Sequence, residues 1–176
     1  MANDLVALIA EGSAEEAILN VLLDNNLLIF TREELLEEKV LRTRKGAAFE
    51  KQHMGMSFEK QVVIYRVLDS KNESFKLSKA NKTRISGVFN IYTRPEIEML
   101  YIVYYGKYDE YSNKHKSKEK PSEFVKTKLD LFDVKSYQAV YDFWLSKPEA
   151  LVTTIRAYAS LSSIDIGSTL VALLKS

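Results

Sequence analysis

The chain opens on an unbroken apolar run, Leu5 to Ala10, and such a run predicts a strand buried on both faces, as in parallel sheets. Glu11 and Gly12 interrupt it, and the period then changes. Ala14, Ile18, Val21 and Leu22 recur at helical spacing until Asp24, Asn25 and Asn26 end the pattern, and Ser13 with Glu16 has the spacing of a capping box. Leu27 to Phe30 reads as a second short strand. Thr31 and Glu34 form another capping-box pair ahead of a charged segment, 32–46, whose Leu35, Leu36 and Val40 leave only a narrow apolar face, so the segment is expected on the surface.

Residues 61–70, QVVIYRVLDS, are rich in β-branched and aromatic side chains and predict a strand that ends, like the first, in an acid, Asp69. ISGVFNIY, 85–92, predicts the next strand. Thr93, Pro95 and Glu96 mark a helix start, and the stretch 97–105 is apolar nearly all round, as a buried helix would be. The polar, lysine-rich stretch 106–124 reads as a loop. From Ser136 onward three stretches, 136–145, 146–161 and 164–176, look helical, with Ser146 and Glu149 capping the second. Strands alternating with helices predict an α/β fold with a mainly parallel sheet flanked by helices and finished by C-terminal helices. The expectation is a single domain over 1–176, with a core at about 4–130 and a helical part at 136–176.

Composition narrows the chemistry. With 46% apolar residues the 176-residue chain can bury a sizeable core, and 25 basic against 24 acidic residues leave no whole-molecule field to draw it to nucleic acid or membrane. No cysteine is present, which excludes thiolate zinc sites, disulfide frameworks and cysteine nucleophiles. The N-terminus carries no signal-peptide pattern and no membrane anchor, so a cytoplasmic protein is expected. His53 and His115 are isolated, and no phosphate-binding glycine loop, dinucleotide fingerprint or nucleophile elbow occurs. Between Lys107 and Lys128 there are seven lysines and four acids, with Tyr104, Tyr105, Tyr108 and Tyr111 close by. That pattern suits a grip on phosphates and bases, and equally a solvated loop over a tyrosine-rich core helix.

In parallel sheets ligands bind beyond the carboxyl ends of the strands, where Glu11 and Asp69 both fall. Two carboxylates brought together there repel each other unless a cation lies between them. Oxygen ligands without cysteine suit Mg²⁺ or Mn²⁺, which serve phosphate chemistry. Each acid also has a plainer reading. Glu11 can sit as a charge near the N-terminus of the following helix, Asp69 can make a turn or cap, and Glu98, inside an apolar helix, can pair with first-turn amides or Arg94.

ALIAEGSAEEAIL and VVIYRVLDSKNESF resemble the two acidic strand-end motifs of Toprim-type domains, and with TRPEIEMLYIVYY and the lysine-rich stretch around KPSEF the chain is similar to the OLD and RloB-like nuclease groups of phage and mobile-element defence. The resemblance covers roughly 4–130 and implies a Toprim-like nucleic-acid-processing protein, a divalent-metal-dependent phosphodiesterase acting on DNA or RNA, with a protein partner of such a defence system. It implies that Glu11 binds metal and shares in proton transfer, that Asp69 is the first acid of an Asp-x-Asp pair, and that Glu98 matches an acidic helix position. Where the second aspartate is expected the chain has Lys71, with Glu73 the nearest substitute. Metal ligands are thus expected among Glu11, Asp69, Glu73 and Glu98, and nucleic-acid contacts at Lys71, Lys114, Lys116, Lys118 and Lys120. The alternative is a catalytically inactive Toprim-like binding module, which Lys71 favours, and a third reading is a structural protein that self-associates through its tyrosines.

Overall fold

The computed structural model describes residues 4–57, 59–69, 74–93 and 97–176. Three strands, β1 (Leu5–Ala10), β2 (Val62–Leu68) and β3 (Ile85–Tyr92), lie in that order in one sheet, and both pairings are parallel. Among the described residues eight α-helical segments accompany them: α1 (Ser13–Asp24), α2 (Gly46–His53), α3 (Lys79–Lys82), α4 (Met99–Tyr104), α5 (Tyr108–Glu110), α6 (Pro121–Lys128), α7 (Tyr137–Leu145) and α8 (Pro148–Leu161). The fold is α/β, as the alternating pattern predicts.

Register explains why β1 and β2 carry so little polarity. Leu5 lies against Val62 and Ala10 against Val67, so the two apolar runs are neighbours throughout. Val6, Leu8, Ala10 and Val67 face a large core that contains α1, α4, Trp144 of α7 and Leu151 and Ile155 of α8. Ala7, Ile9, Val62 and Ile64 face a smaller core closed by Leu36, Leu41, Phe49 and Met54. A strand buried on both faces is apolar at nearly every position, Arg66 of β2 being the buried exception, and that is the signal read from the sequence.

Several local expectations change. Leu27–Phe30 forms no strand, only an isolated antiparallel bridge between Leu28 and Leu174, because the outer edge of β1 is taken by other residues. Those residues belong to the charged segment expected on the surface: Leu35 and Leu41 bridge to Val6 and Ile9, and Leu35, Leu36, Val40 and Leu41 are all buried. The segment keeps the Thr31–Glu34 capping box, but around 3₁₀ turns at Arg32–Glu34 and Leu36–Glu38 rather than a helix. The pair Ser13 and Glu16 makes no capping box; Gly12 is the N-cap of α1, while Ser13 Oγ accepts from Arg42 and Glu16 is ion-paired to the same arginine at 2.8 Å.

The lysine-rich stretch expected as a loop folds into α5, a π-helical turn at Tyr111–His115 and α6, held down by buried Tyr111 and Phe124. At the far end α7 starts at Ser136 as expected, with Ser136 Oγ accepting from Ala139 N–H at 3.3 Å. α8 is capped at Lys147 with Pro148 in its first turn, so Ser146 closes α7 instead, and 164–176 holds two 3₁₀ turns rather than a helix. The helix start expected at Pro95 and Glu96 lies outside the described residues. Among the described residues no helix is long and apolar enough to cross a membrane.

Candidate functional site

Because the three strands run parallel, the segments that leave them emerge from one edge of the sheet. Glu11 follows β1 directly and Asp69 follows β2 directly, and since those strands are paired the two residues are neighbours. The ladder extends one step past the strands: Glu11 N–H donates to the Val67 carbonyl at 3.1 Å. The Glu11 carboxylate then turns across, and its Oε2 accepts from the Asp69 backbone N–H at 3.0 Å. Its Oε1 lies 4.0 Å from Arg44, and the Glu11 carbonyl accepts from Arg42 and Arg44 at 3.4 Å each. A carboxylate only 8% exposed is thereby compensated by a neighbouring strand's amide and an arginine.

Glu11 is the back of the site. Its front is a cleft of about 210 Å³ whose lining includes Gly12, Ser13, Glu15, Asp69, Glu98 and Lys135. Asp69 is exposed here, whereas Glu15 and Glu98 are 7% and 3% exposed. Glu98 stands just ahead of α4 and faces Lys135, with 3.5 Å between its Oε1 and the ammonium. Burial, with Glu98 close by, pushes the Tyr101 phenol above its ordinary range.

Glu15 is the residue that sequence reading missed. It lies in the first turn of α1, where its own backbone N–H holds the carboxylate. Burial pushes its carboxyl above the ordinary glutamate range, and Glu98, Asp69 and Glu11 push it in the same direction, against the hydrogen bond to its own amide. Four acids therefore share one electrostatic neighbourhood. Gly12 makes room for this arrangement, since a Cβ there would stand 2.4 Å from Glu15 Oε2.

Lys71 and Glu73, and Arg94 as the partner considered for Glu98, lie outside the described residues. Lys114, Lys116, Lys118 and Lys120 are all exposed, on the π turn and the residues leading into α6. Lys116, Lys118 and Lys120 line an open cleft of about 510 Å³ that shares no lining residue with the acidic one. Tyr104 and Tyr105 are exposed, but Tyr111 is buried and its hydroxyl donates to the Glu119 carbonyl at 3.1 Å. His115 Nδ1 is 2.5 Å from Glu119 and His53 Nδ1 is 2.6 Å from Glu37, so each histidine is paired with an acid.

The donor set fits a hard divalent cation in kind, being carboxylates alone. Among the described residues no three histidine, aspartate or glutamate side chains are grouped so that together they could hold a metal ion. Mg²⁺ does not require such a group, because it keeps several waters and is commonly held by one or two carboxylates together with a substrate phosphate. Comparison with family models, with curated proteins and with solved structures finds no match to this chain.

Proposed function

We propose that this chain is a Toprim-like protein acting on nucleic acid, in which Asp69 and Glu98 would hold one Mg²⁺ or Mn²⁺ ion in the acidic cleft, with Glu15 beside them and a substrate phosphate as a further ligand. The observation that carries this reading is the cleft at the carboxyl edge of the parallel sheet, lined by Glu15, Asp69 and Glu98, where burial first and the neighbouring acids after it oppose the ionisation of Glu15. A cation would relieve that repulsion and, with a phosphate as its remaining ligand, would polarise a phosphodiester. Glu11, bonded to the Asp69 amide, positions the strand-end turn from behind the cleft. The lysines at 114, 116, 118 and 120 would hold backbone phosphates.

A specific feature favours the inactive alternative. Lys135 beside Glu98 and Arg44 beside Glu11 already supply positive charge, and Lys71 stands where the family pattern has an acid. Thermal melts with Mg²⁺, Mn²⁺ or chelator separate the two readings. A bound ion raises the wild-type midpoint by mass action, and Asp69→Asn together with Glu98→Gln removes most of that rise. A wild-type melt indifferent to millimolar Mg²⁺ and Mn²⁺ leaves the binding-module reading. Replacing the four lysines with alanine should leave the melt unchanged while weakening binding to single-stranded DNA or RNA. It should also flatten the dependence of log affinity on log salt by about 0.7 for each phosphate no longer neutralised; an unchanged slope assigns these lysines to solubility.

A further inference from the structure

One edge of the sheet is bridged by further residues, and the other carries no strand among the described residues, although the 3₁₀ turn at Ile166–Ser168 packs close to β3. The β1 edge is covered by the bridges from Leu35 and Leu41, whereas β3 pairs only with β2 and its outer edge meets no strand among the described residues. Exposed strand edges are ordinarily blunted by lysine, proline or a bulge, because unpaired amides and carbonyls recruit other strands. β3, ISGVFNIY, contains no charged residue and no proline. Its one irregularity is the register shift opposite Val62 and Val63, which leaves Ser86 as the extra residue and Gly87–Tyr92 in regular alternation. Phe89 and Val88 on this strand are 51% and 39% exposed, one on each face of the sheet.

Phe89 also ends a row of rings. Phe30 stacks on Tyr65 at 5.8 Å between centroids, and Tyr65 stacks on Phe89 at 5.4 Å, both pairs within 25° of parallel. The row stops at the β3 edge with half of the last ring in solvent. Such a ring is suited to a further aromatic partner, since stacked pairs contribute about 0.5–1.5 kcal/mol beyond area burial.

We infer that β3 is a self-pairing edge: two copies of this chain join antiparallel through β3 about a two-fold axis, making one continuous six-stranded sheet with Phe89 against Phe89 at the axis. A second copy is the occupant the strand itself specifies. An uncharged strand offers nothing to repel its own image, and an isologous contact presents the same patch on both sides. The register follows from geometry. A dyad normal to the sheet keeps each residue on its own face, and residues opposed across an antiparallel ladder share a face, so the axis must pass a residue that opposes itself. Centring on Val88 would set each Phe89 over the partner's Gly87, but that space is filled already: a Cβ on Gly87 would stand 2.8 Å from the ring of its own chain's Phe89. Centring on Phe89 avoids the clash and pairs 87–91 with 91–87, the regular part of the strand.

Sedimentation equilibrium of the wild-type chain from micromolar to near-millimolar concentration should show mass rising toward twice 20.2 kDa. Phe89→Lys places like charges at the axis, Val88→Lys places them one residue off it on the other face, and each should hold the mass at that of one chain with an unchanged circular dichroism spectrum. Because the chain has no cysteine, Phe89→Cys provides an independent measure: mild oxidation should yield a covalent dimer, while Met56→Cys, 69% exposed elsewhere, should not. A wild type that stays monomeric throughout overturns the proposal. So does a dimer that survives both lysine variants, or one that Phe89→Cys fails to trap.

Discussion

Glu15 shows how one buried acid makes stability depend on pH. Its carboxyl is raised above the ordinary value of 4.5 by burial first and by Glu98, Asp69 and Glu11 after that. A group whose pKa is higher folded than unfolded favours the native state below its unfolded pKa, and that contribution is lost as pH rises through the folded value. At neutral pH without metal, Glu15 is therefore a cost. Glu15→Gln should raise the urea midpoint at pH 7 in chelator, with the gain shrinking as pH falls toward the ordinary glutamate range. A gain that is constant with pH, or that grows in acid, would mean that the Glu15 carboxyl is not raised in the folded state.

Elements are joined in this fold at points of close approach, and Gly46 is the tightest. It opens α2, and a Cβ there would stand 2.1 Å from the Lys76 carbonyl oxygen and 2.7 Å from its carbon. Backbone cannot yield as a flexible side chain can, so α2 must be displaced from the segment before α3 if the glycine is replaced. Gly46→Ala should cost about 1–3 kcal/mol in chemical denaturation, the range for overpacking. Gly55→Ala, with nothing within 4 Å of its Cβ, is the control and should change little. The lysine-rich stretch is legible at this scale only in part. Its composition shows the exposed lysines, but the anchors that make it helical are Tyr111 and Phe124, packed edge to face at 5.2 Å, and a single aromatic in a polar stretch carries no periodicity.

At the scale of the whole molecule, the sheet is a shared wall between two cores. Trp144 is fully buried in one and Phe49 in the other. Truncating either to alanine should cost about 3–5 kcal/mol. Since both cores rest on β1 and β2, each variant should shift one cooperative transition rather than split it. Biphasic unfolding of Phe49→Ala, with the Trp144 side melting later, would show that the smaller core is an independent layer.

β1 and β2 and their parallel direction were legible because residues buried on both faces are mostly apolar, a local requirement, whereas β3, partly exposed on both faces, was legible only from its β-branched and aromatic composition. Glu11 and Asp69 were legible as neighbours because each ends one of the doubly buried runs. Glu98 stood out as a charge inside an expected apolar helix, and the structure places it just ahead of that helix, whereas Glu15 did not stand out, because a first-turn acid is ordinary until the fold surrounds it with three others. Which strands would be edges was decided only in three dimensions: the charged segment 32–46 closes β1 through Leu35 and Leu41, and the apolar Leu27–Phe30, strand-like by composition, is left with one bridge. Side-chain pattern records how deeply a residue is buried. Pairing at an edge is made by backbone amides and carbonyls, which every residue carries alike, so which edge is bridged and which is left without a strand depends on how the whole chain is arranged in space.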